Sequence, residues 1–380
     1  MTPLLRARVL AALLCVMFWA GGNLLHARAL PLREAAGGAV LIGCSAGSSD
    51  IADPKTAAMI VREFDCFTAD NEFMPKFMVD DEGHYTWEIP DRLANFARDH
   101  DMPFYGHMLV WQHETRAWLF EDKQGRPLPR EQALKNLRDY ITTVVQHFRG
   151  RVKAWAVVNE ALSDDGAVYL RDTPARRAIG DDFIARAFEY AHAADPTVPL
   201  YYNDYNIELP YKREKTLRLL RELRAEGLRV DAVGIQGHWL LGGPEPEVIS
   251  DAIREFHDAG FDVMITELDV DVLPRTVSGA DLQSVDEGPN PYPESLPDEV
   301  QQQLAQRYGE IFEAILRPPG VSMITFWGPH DGRSWLNDFP VRRRTNYPLL
   351  FDRELKPKPA HAVVSEILAR HRAASTTVPQ

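Results

Sequence analysis

Two short stretches bring carboxylates to places where chemistry could use them. In "AWAVVNEALSDDG", residues 154–166, an apolar run stops at an amide and an acid, Asn159 and Glu160. In "VMITELDVDV", residues 263–272, Glu267 closes the apolar segment 263–266. A lone glutamate after a strand more often caps a helix or meets an arginine. A pair says more, because cleaving a glycosidic bond needs two carboxyl groups. One protonates the leaving oxygen; the other attacks or stabilises the oxocarbenium-like centre. Such a site also wants aromatic faces for sugar rings, and amides or imidazoles for hydroxyls. Trp111, Trp327 and Trp335 can supply the first, His107, His238 and Gln236 the second.

Something must carry these residues to one place. Short apolar runs at 40–45, 66–68, 104–110, 154–158, 200–203, 232–236, 263–266 and 323–327 alternate with longer amphipathic stretches. Continuous apolar runs mark strands buried on both faces, as in a parallel sheet with helices outside. "REQALKNLRDYITTVVQHF" and "DFIARAFEYAHAA" have helical spacing, and "YKREKTLRLLRELRAEG" ends on Gly227, a natural helix stop. Eight such units predict an α/β fold, a closed (β/α)8 TIM barrel, with chemistry at the C-terminal strand ends. Those ends hold Asp70-Asn71-Glu72, His107, Trp111, Asn159, Glu160, Asn203 to Asn206, Gln236, His238, Glu267, Asp269 and Trp327.

Bulk properties narrow the classes. The formal charge of −13 argues against nucleic acid, whose phosphates call for Lys and Arg. Arg6 and Arg8 precede an apolar run at 9–20, and "HARA" at 26–29 has a signal peptidase's small residues. Residues 1–29 therefore read as a secretory signal, residues 30–372 as one catalytic domain, and 373–380 as a disordered tail. "LIGC" at 41–44 has the look of a lipoprotein box but reads better as the first strand. Secretion or a periplasmic home follows, with no membrane anchor and no nucleic-acid partner; the chain is expected to act as a monomer. After the signal leaves, Cys44 and Cys66 remain, either as a disulfide or as two buried thiols. Nothing has metal-ligand cysteine spacing, and no cofactor or metal is expected.

The ordered blocks "FTADNEFMP", "GHMLVW", "WAVVNEALSDDG", "YYNDYNIE", "VDAVGIQGHWL", "MITELDV", "TFWGPHDGRSW" and "YPLLFDRELKPKPA" span almost the whole chain after the signal. With them the sequence resembles family-10 glycoside hydrolases, endo-β-1,4-xylanases built on a barrel. The resemblance implies a retaining hydrolase acting on xylan or xylo-oligosaccharides, with Glu160 as acid/base and Glu267 as nucleophile. It implies that Asn159 bonds the sugar 2-hydroxyl, that His238 holds the nucleophile ionised and that Gln236 sits near the acid/base. Asp70, Asn71, His107, Trp111, Glu114, Tyr205, Trp327 and Trp335 are implied as substrate-binding.

The chain departs from that pattern on one side. Where the family usually has Glu-Asn-Glu-Met-Lys it has "DNEFM", so Met74 replaces a lysine and Asp70 a glutamate. Gln112-His113-Glu114 stands where His-Ser-Gln is common. The sharper consequence is a glycanase with altered preference for decorated or short substrates; the plainer one is drift. Two other readings are a metal-dependent sugar isomerase and a non-catalytic sugar-binding relative, which would have lost a carboxylate. A long Pro/Gly/Ser/Asp-rich stretch at 273–300 is read as a loop, either a substrate wall or a surface insertion.

Overall fold

The structure is a computed structural model that describes residues 29–274 and 288–377. Residues 1–28 of the expected signal and most of the 273–300 loop's first half lie outside the described residues. All eight expected strands form: β1 (Leu41–Ala46), β2 (Cys66–Ala69), β3 (Phe104–Gly106), β4 (Ala154–Asn159), β5 (Leu200–Asp204), β6 (Ala232–Ile235), β8 (Asp262–Asp271) and β9 (Val321–Phe326). Each pairs in parallel with its neighbours, and β6 with β8 and β1 with β9 close the ring. The fold is a (β/α)8 barrel.

Side-chain alternation divides the core in two. Cys66, Tyr105, Ala154, Ala156, Tyr201, Ala232, Met264 and Met323 come from seven strands and pack together inside the barrel. Their neighbours along each strand, such as Phe67, Phe104, Trp155, Val233 and Ile265, point outward against helices. The helix Arg130–His147 shows the matching stripe: it buries Leu137, Tyr140, Ile141, Val144 and Val145, one turn apart. Among the described residues six helices begin on proline, at 54, 75, 174, 210, 246 and 359, whose fixed φ and missing N–H suit a first turn. Gly227 follows the helix Pro210–Ala225 with φ 80°, a conformation that favours glycine.

Four expectations change or resolve. The regular β3 ladder stops at Gly106 rather than running to 110, and its pairing with β4 resumes at Leu109 and Val110, the latter bridged to Val158. A Cβ at Gly106 would lie 2.3 Å from the Trp155 ring, so the two strands meet there only through glycine. A short extra strand, β7 (His238–Leu240), runs beside the far end of β8 and pairs His238 with Asp269. The last helix, Pro359–Thr377, continues through residues 373–377, where a disordered tail is expected from the sequence. Ala373 and Ala374 are strong helix formers, and the Ser375 and Thr376 hydroxyls bond carbonyls one turn back. Cys44 and Cys66 are buried free thiols.

One buried ion pair fastens the segment that follows β9. Lys358 Nζ donates to both Asp331 oxygens, at 3.2 and 2.9 Å, and to the carbonyls of Tyr347 and Leu349. Both charges are almost fully enclosed. Lys358→Met would strand the Asp331 carboxylate, and a loss of about 3–5 kcal/mol in unfolding free energy is expected by denaturant titration.

Candidate active site

Both glutamates reach the barrel mouth at a bulge, Glu160 just past one and Glu267 within one. β4 gains a residue against β5 between Ala156 and Val158, and β8 gains one against β9 between Ile265 and Leu268. A bulge re-aims the side chains at and after it. Asn159, Glu160 and Glu267 therefore open into one cleft, which encloses about 2060 Å³ including open solvent.

A continuous set of hydrogen bonds joins the two acids. Gln236 Nε2 donates to Glu160 Oε1 at 2.9 Å and to Asn159 Oδ1 at 3.3 Å. Asn203 Nδ2 donates to the same Asn159 oxygen at 2.8 Å and to Glu267 Oε1 at 2.7 Å. Thr266 Oγ1 fixes the Asn203 amide by donating to its oxygen at 2.6 Å. Room for that amide comes from Gly234, where a Cβ would lie 2.3 Å from Asn203 Oδ1. Asn203 was legible as a strand end but had no role assigned; only the structure places it between the acids.

Surroundings drive the two carboxyls apart. Glu160 is pushed up to about 7, by burial first and then by the Asp204 carboxylate, against the hydrogen bonds from Gln236 and from Trp111 Nε1. Burial would raise Glu267 too, but His107 and His238 outweigh it and hold the carboxyl below the usual glutamate value. Burial lowers His107. Burial also opposes charge on His238, yet Asp269 and Glu267 lift it to about 10. Its Nε2 lies 3.2 Å from Glu267 Oε2 and its Nδ1 3.1 Å from Asp269 Oδ2. One acid thus holds its proton near neutrality while the other is ionised, the polarity a general acid and an anion require.

Every residue to which the family resemblance gave a catalytic or binding role lines this cleft, though not all in the expected way, while Glu72, Asn203, Asp204 and Asp269, singled out only as strand ends, do not. Trp111 spends its indole N–H on Glu160 Oε2, at 2.9 Å. Trp335 donates to Asp269 Oδ2 at 2.7 Å and lies 4.8 Å from the His238 ring. His107 packs edge-on to Trp327, ring centroids 5.0 Å apart. Glu114 pairs with Lys76 at 3.0 Å. Tyr205 offers its ring only, since its hydroxyl bonds Asp164 and Arg171. Asp70 is largely enclosed and its carboxyl is raised, mainly by burial; Asn71 is exposed at the rim. Glu72 is diverted to the first turn of the helix Ser48–Ala52, where Ser48 donates to both carboxylate oxygens. Met74 is buried against the interior cluster and Trp111.

Sequence reasoning missed Tyr202, Asp164, Arg171 and Lys212. Lys212 is wholly buried on a helix that reads as solvent-facing, and no local pattern announces that. Among the described residues, the one carboxylate–imidazole group close enough to share a cation is Asp80, Glu82 and His84, on an exposed turn outside the cleft.

Comparison with known proteins gives a consistent answer. The Endo-1,4-beta-xylanase A of Xylanibacter ruminicola is 39% identical over 89% of this chain and 92% of its own length. The Endo-1,4-beta-xylanase of Geobacillus stearothermophilus is 37% identical over 80% and 88%. Among solved structures, a GH10 endoxylanase retrieved from a sugarcane soil metagenome superposes with a TM-score of 0.84 at 34% identity, covering 88% of this chain and 99% of that one. The family model for glycosyl hydrolase family 10 matches residues 31–367. With a match over most of its length and this pair of acids at the barrel mouth, the chain belongs to glycosyl hydrolase family 10.

Proposed function

We propose that this chain is an exported, retaining endo-β-1,4-xylanase that cleaves xylan or xylo-oligosaccharides by double displacement. The observation that carries the reading is the placing of two buried carboxyls in one cleft, joined through Gln236, Asn159 and Asn203, with surroundings that raise Glu160 and lower Glu267. Glu267, ionised, attacks the anomeric carbon as the Glu160 carboxyl protonates the departing oxygen, leaving a glycosyl ester on Glu267. That ester removes the negative charge from Glu267, so Glu160 becomes more acidic and takes a proton from the incoming water. The Asn159 oxygen faces Gln236 and Asn203, so its amide nitrogen is the end offered to the sugar 2-hydroxyl. His238 and Asp269 keep the nucleophile charged between turnovers. The relatives' names as endo-1,4-beta-xylanases support xylan as substrate. Proton NMR of the first product should show the β-anomer; an α-anomer would refute the double displacement. Export rests on residues 1–29, and a mature protein beginning at Leu30 outside the cytoplasm is the expected result.

The pH profile follows. kcat/KM should fall above about pH 7, where Glu160 loses the proton it must donate. Trp111 and Gln236 bond the charged form and so lower that value. Trp111→Phe removes one such bond, and the alkaline limb is expected to move to higher pH. A shift toward lower pH, read from kcat/KM between pH 5 and 9, would contradict the assignment.

Met74 favours a second reading within the class, a distal glycone site that selects decorated or short chains. An apolar, buried surface stands there and offers no ammonium donors. Met74→Lys should change the cleavage pattern of labelled xylo-oligosaccharides; an unaltered pattern would leave the substitution as drift.

A further inference from the structure

The residues just after Glu160 are held by side chains to an unusual degree. Glu160 has φ 56°, in the left-handed region that residues with a Cβ disfavour. Its N–H donates to the Asn203 carbonyl at 3.0 Å, and its own carbonyl accepts from Arg171 Nε at 3.1 Å. The next two N–H groups, of Ala161 and Leu162, both donate to the Tyr202 hydroxyl, at 3.0 and 3.1 Å. Arg171 Nη2 reaches the Leu162 carbonyl at 3.3 Å.

A tyrosine hydroxyl has one proton and two lone pairs. Both lone pairs of Tyr202 are occupied by these backbone groups, and its proton goes to Asp204 Oδ2 at 2.6 Å. The orientation of that hydroxyl is therefore set by an ionised Asp204. Lys212, wholly buried, donates to Asp204 at 2.9 Å and to Asp164 at 3.0 Å, so it supplies the counter-charge and ties the loop's far side to the same point. Tyr202, Asp204 and Lys212 touch no part of the open cleft, which rules out direct contact with a sugar at these side chains. The Asp204 charge ranks next to burial in lifting Glu160.

We infer that Tyr202, oriented by Asp204 and Lys212, is a positioning residue for proton transfer: with Arg171 it holds residues 160–162 in the one backbone shape that aims the Glu160 carboxyl at the leaving oxygen. This rests on Glu160 being the acid/base. The chemistry itself is unchanged; what the device supplies is geometry, and misplacement by an ångström suffices to cost on the order of 10²-fold in rate.

Tyr202→Phe tests it, assayed on xylopentaose and on 2,4-dinitrophenyl β-xylobioside. The dinitrophenolate departs without a proton, so its release does not call on Glu160. The variant should lose on the order of 10²-fold in kcat/KM on xylopentaose and stay within about threefold on the aryl substrate. The ratio of the two is independent of how much protein folds, so a partly misfolded preparation does not imitate the result. An equal loss on both substrates, or no loss on either, overturns the inference. Glu160→Ala run alongside separates the layers. If it splits the substrates and Tyr202→Phe does not, positioning fails while the acid/base reading stands. If Glu160→Ala shows no split, both fall.

Discussion

Glu267→Ala is expected to cut hydrolysis of xylan and of activated aryl xylosides alike, by roughly 10⁵–10⁶-fold, the scale at which deleting a catalytic nucleophile is felt in other covalent enzymes. The two substrates should suffer together because the first bond to the anomeric carbon is lost whatever the leaving group. The fold should survive. His238 keeps its partner Asp269, and Asn203 keeps Asn159 and Thr266, so the cleft retains most of its hydrogen bonds. The cavity left by the carboxylate admits a small anion, and azide should restore part of the rate on the aryl substrate. It would enter from the side Glu267 occupied and yield the α-glycosyl azide. A residual rate within tenfold of the parent, at an unchanged melting temperature, would remove Glu267 from the reaction.

The barrel and its acids were legible for a simple reason. Most barrel strands are short runs of apolar residues that end on a polar one, a signal contained in a few consecutive positions. Glu160 and Glu267 stand at such ends, and so do Asn203, Asp204 and Asp269. What the sequence did not disclose is which of these side chains meet. Asn203 bridges Asn159 and Glu267 only because both strands bulge and Gly234 leaves space beside them, and a bulge of one residue has no local signature. Lys212 and Lys358 were invisible for a related reason. A lysine on an amphipathic helix, as Lys212 is, or in a loop between prolines, as Lys358 is, reads as solvated, yet each is buried against carboxylates, Asp164 and Asp204 in one case and Asp331 in the other. Tyr205 lines the cleft as expected, but only its ring is free to face it. Its type and place point to sugar binding, but its hydroxyl is already committed to Asp164 and Arg171.

Glu160→Ala should behave differently from Glu267→Ala, and the difference carries mechanistic information. On xylan the loss should be on the order of 10²–10⁴-fold, the usual contribution of a positioned general acid. On 2,4-dinitrophenyl β-xylobioside kcat/KM should remain near the parent value, since it reports formation of the glycosyl–enzyme and that leaving group needs no proton. kcat on the same substrate should drop, because water must now attack the ester without a base, and KM should drop with it as the ester accumulates. The alkaline limb near pH 7 that the parent shows on xylopentaose should vanish from the variant's kcat/KM on that substrate, as Glu160 is the group that titrates there. Azide should again raise turnover, here by taking the place of water. It attacks the glycosyl–enzyme from the face opposite Glu267 and gives the β-glycosyl azide, the anomer contrary to that from Glu267→Ala. Two variants that deliver the same anomer, or a Glu160→Ala enzyme with full activity on xylan, would show that these carboxyls do not flank the anomeric centre as acid and nucleophile.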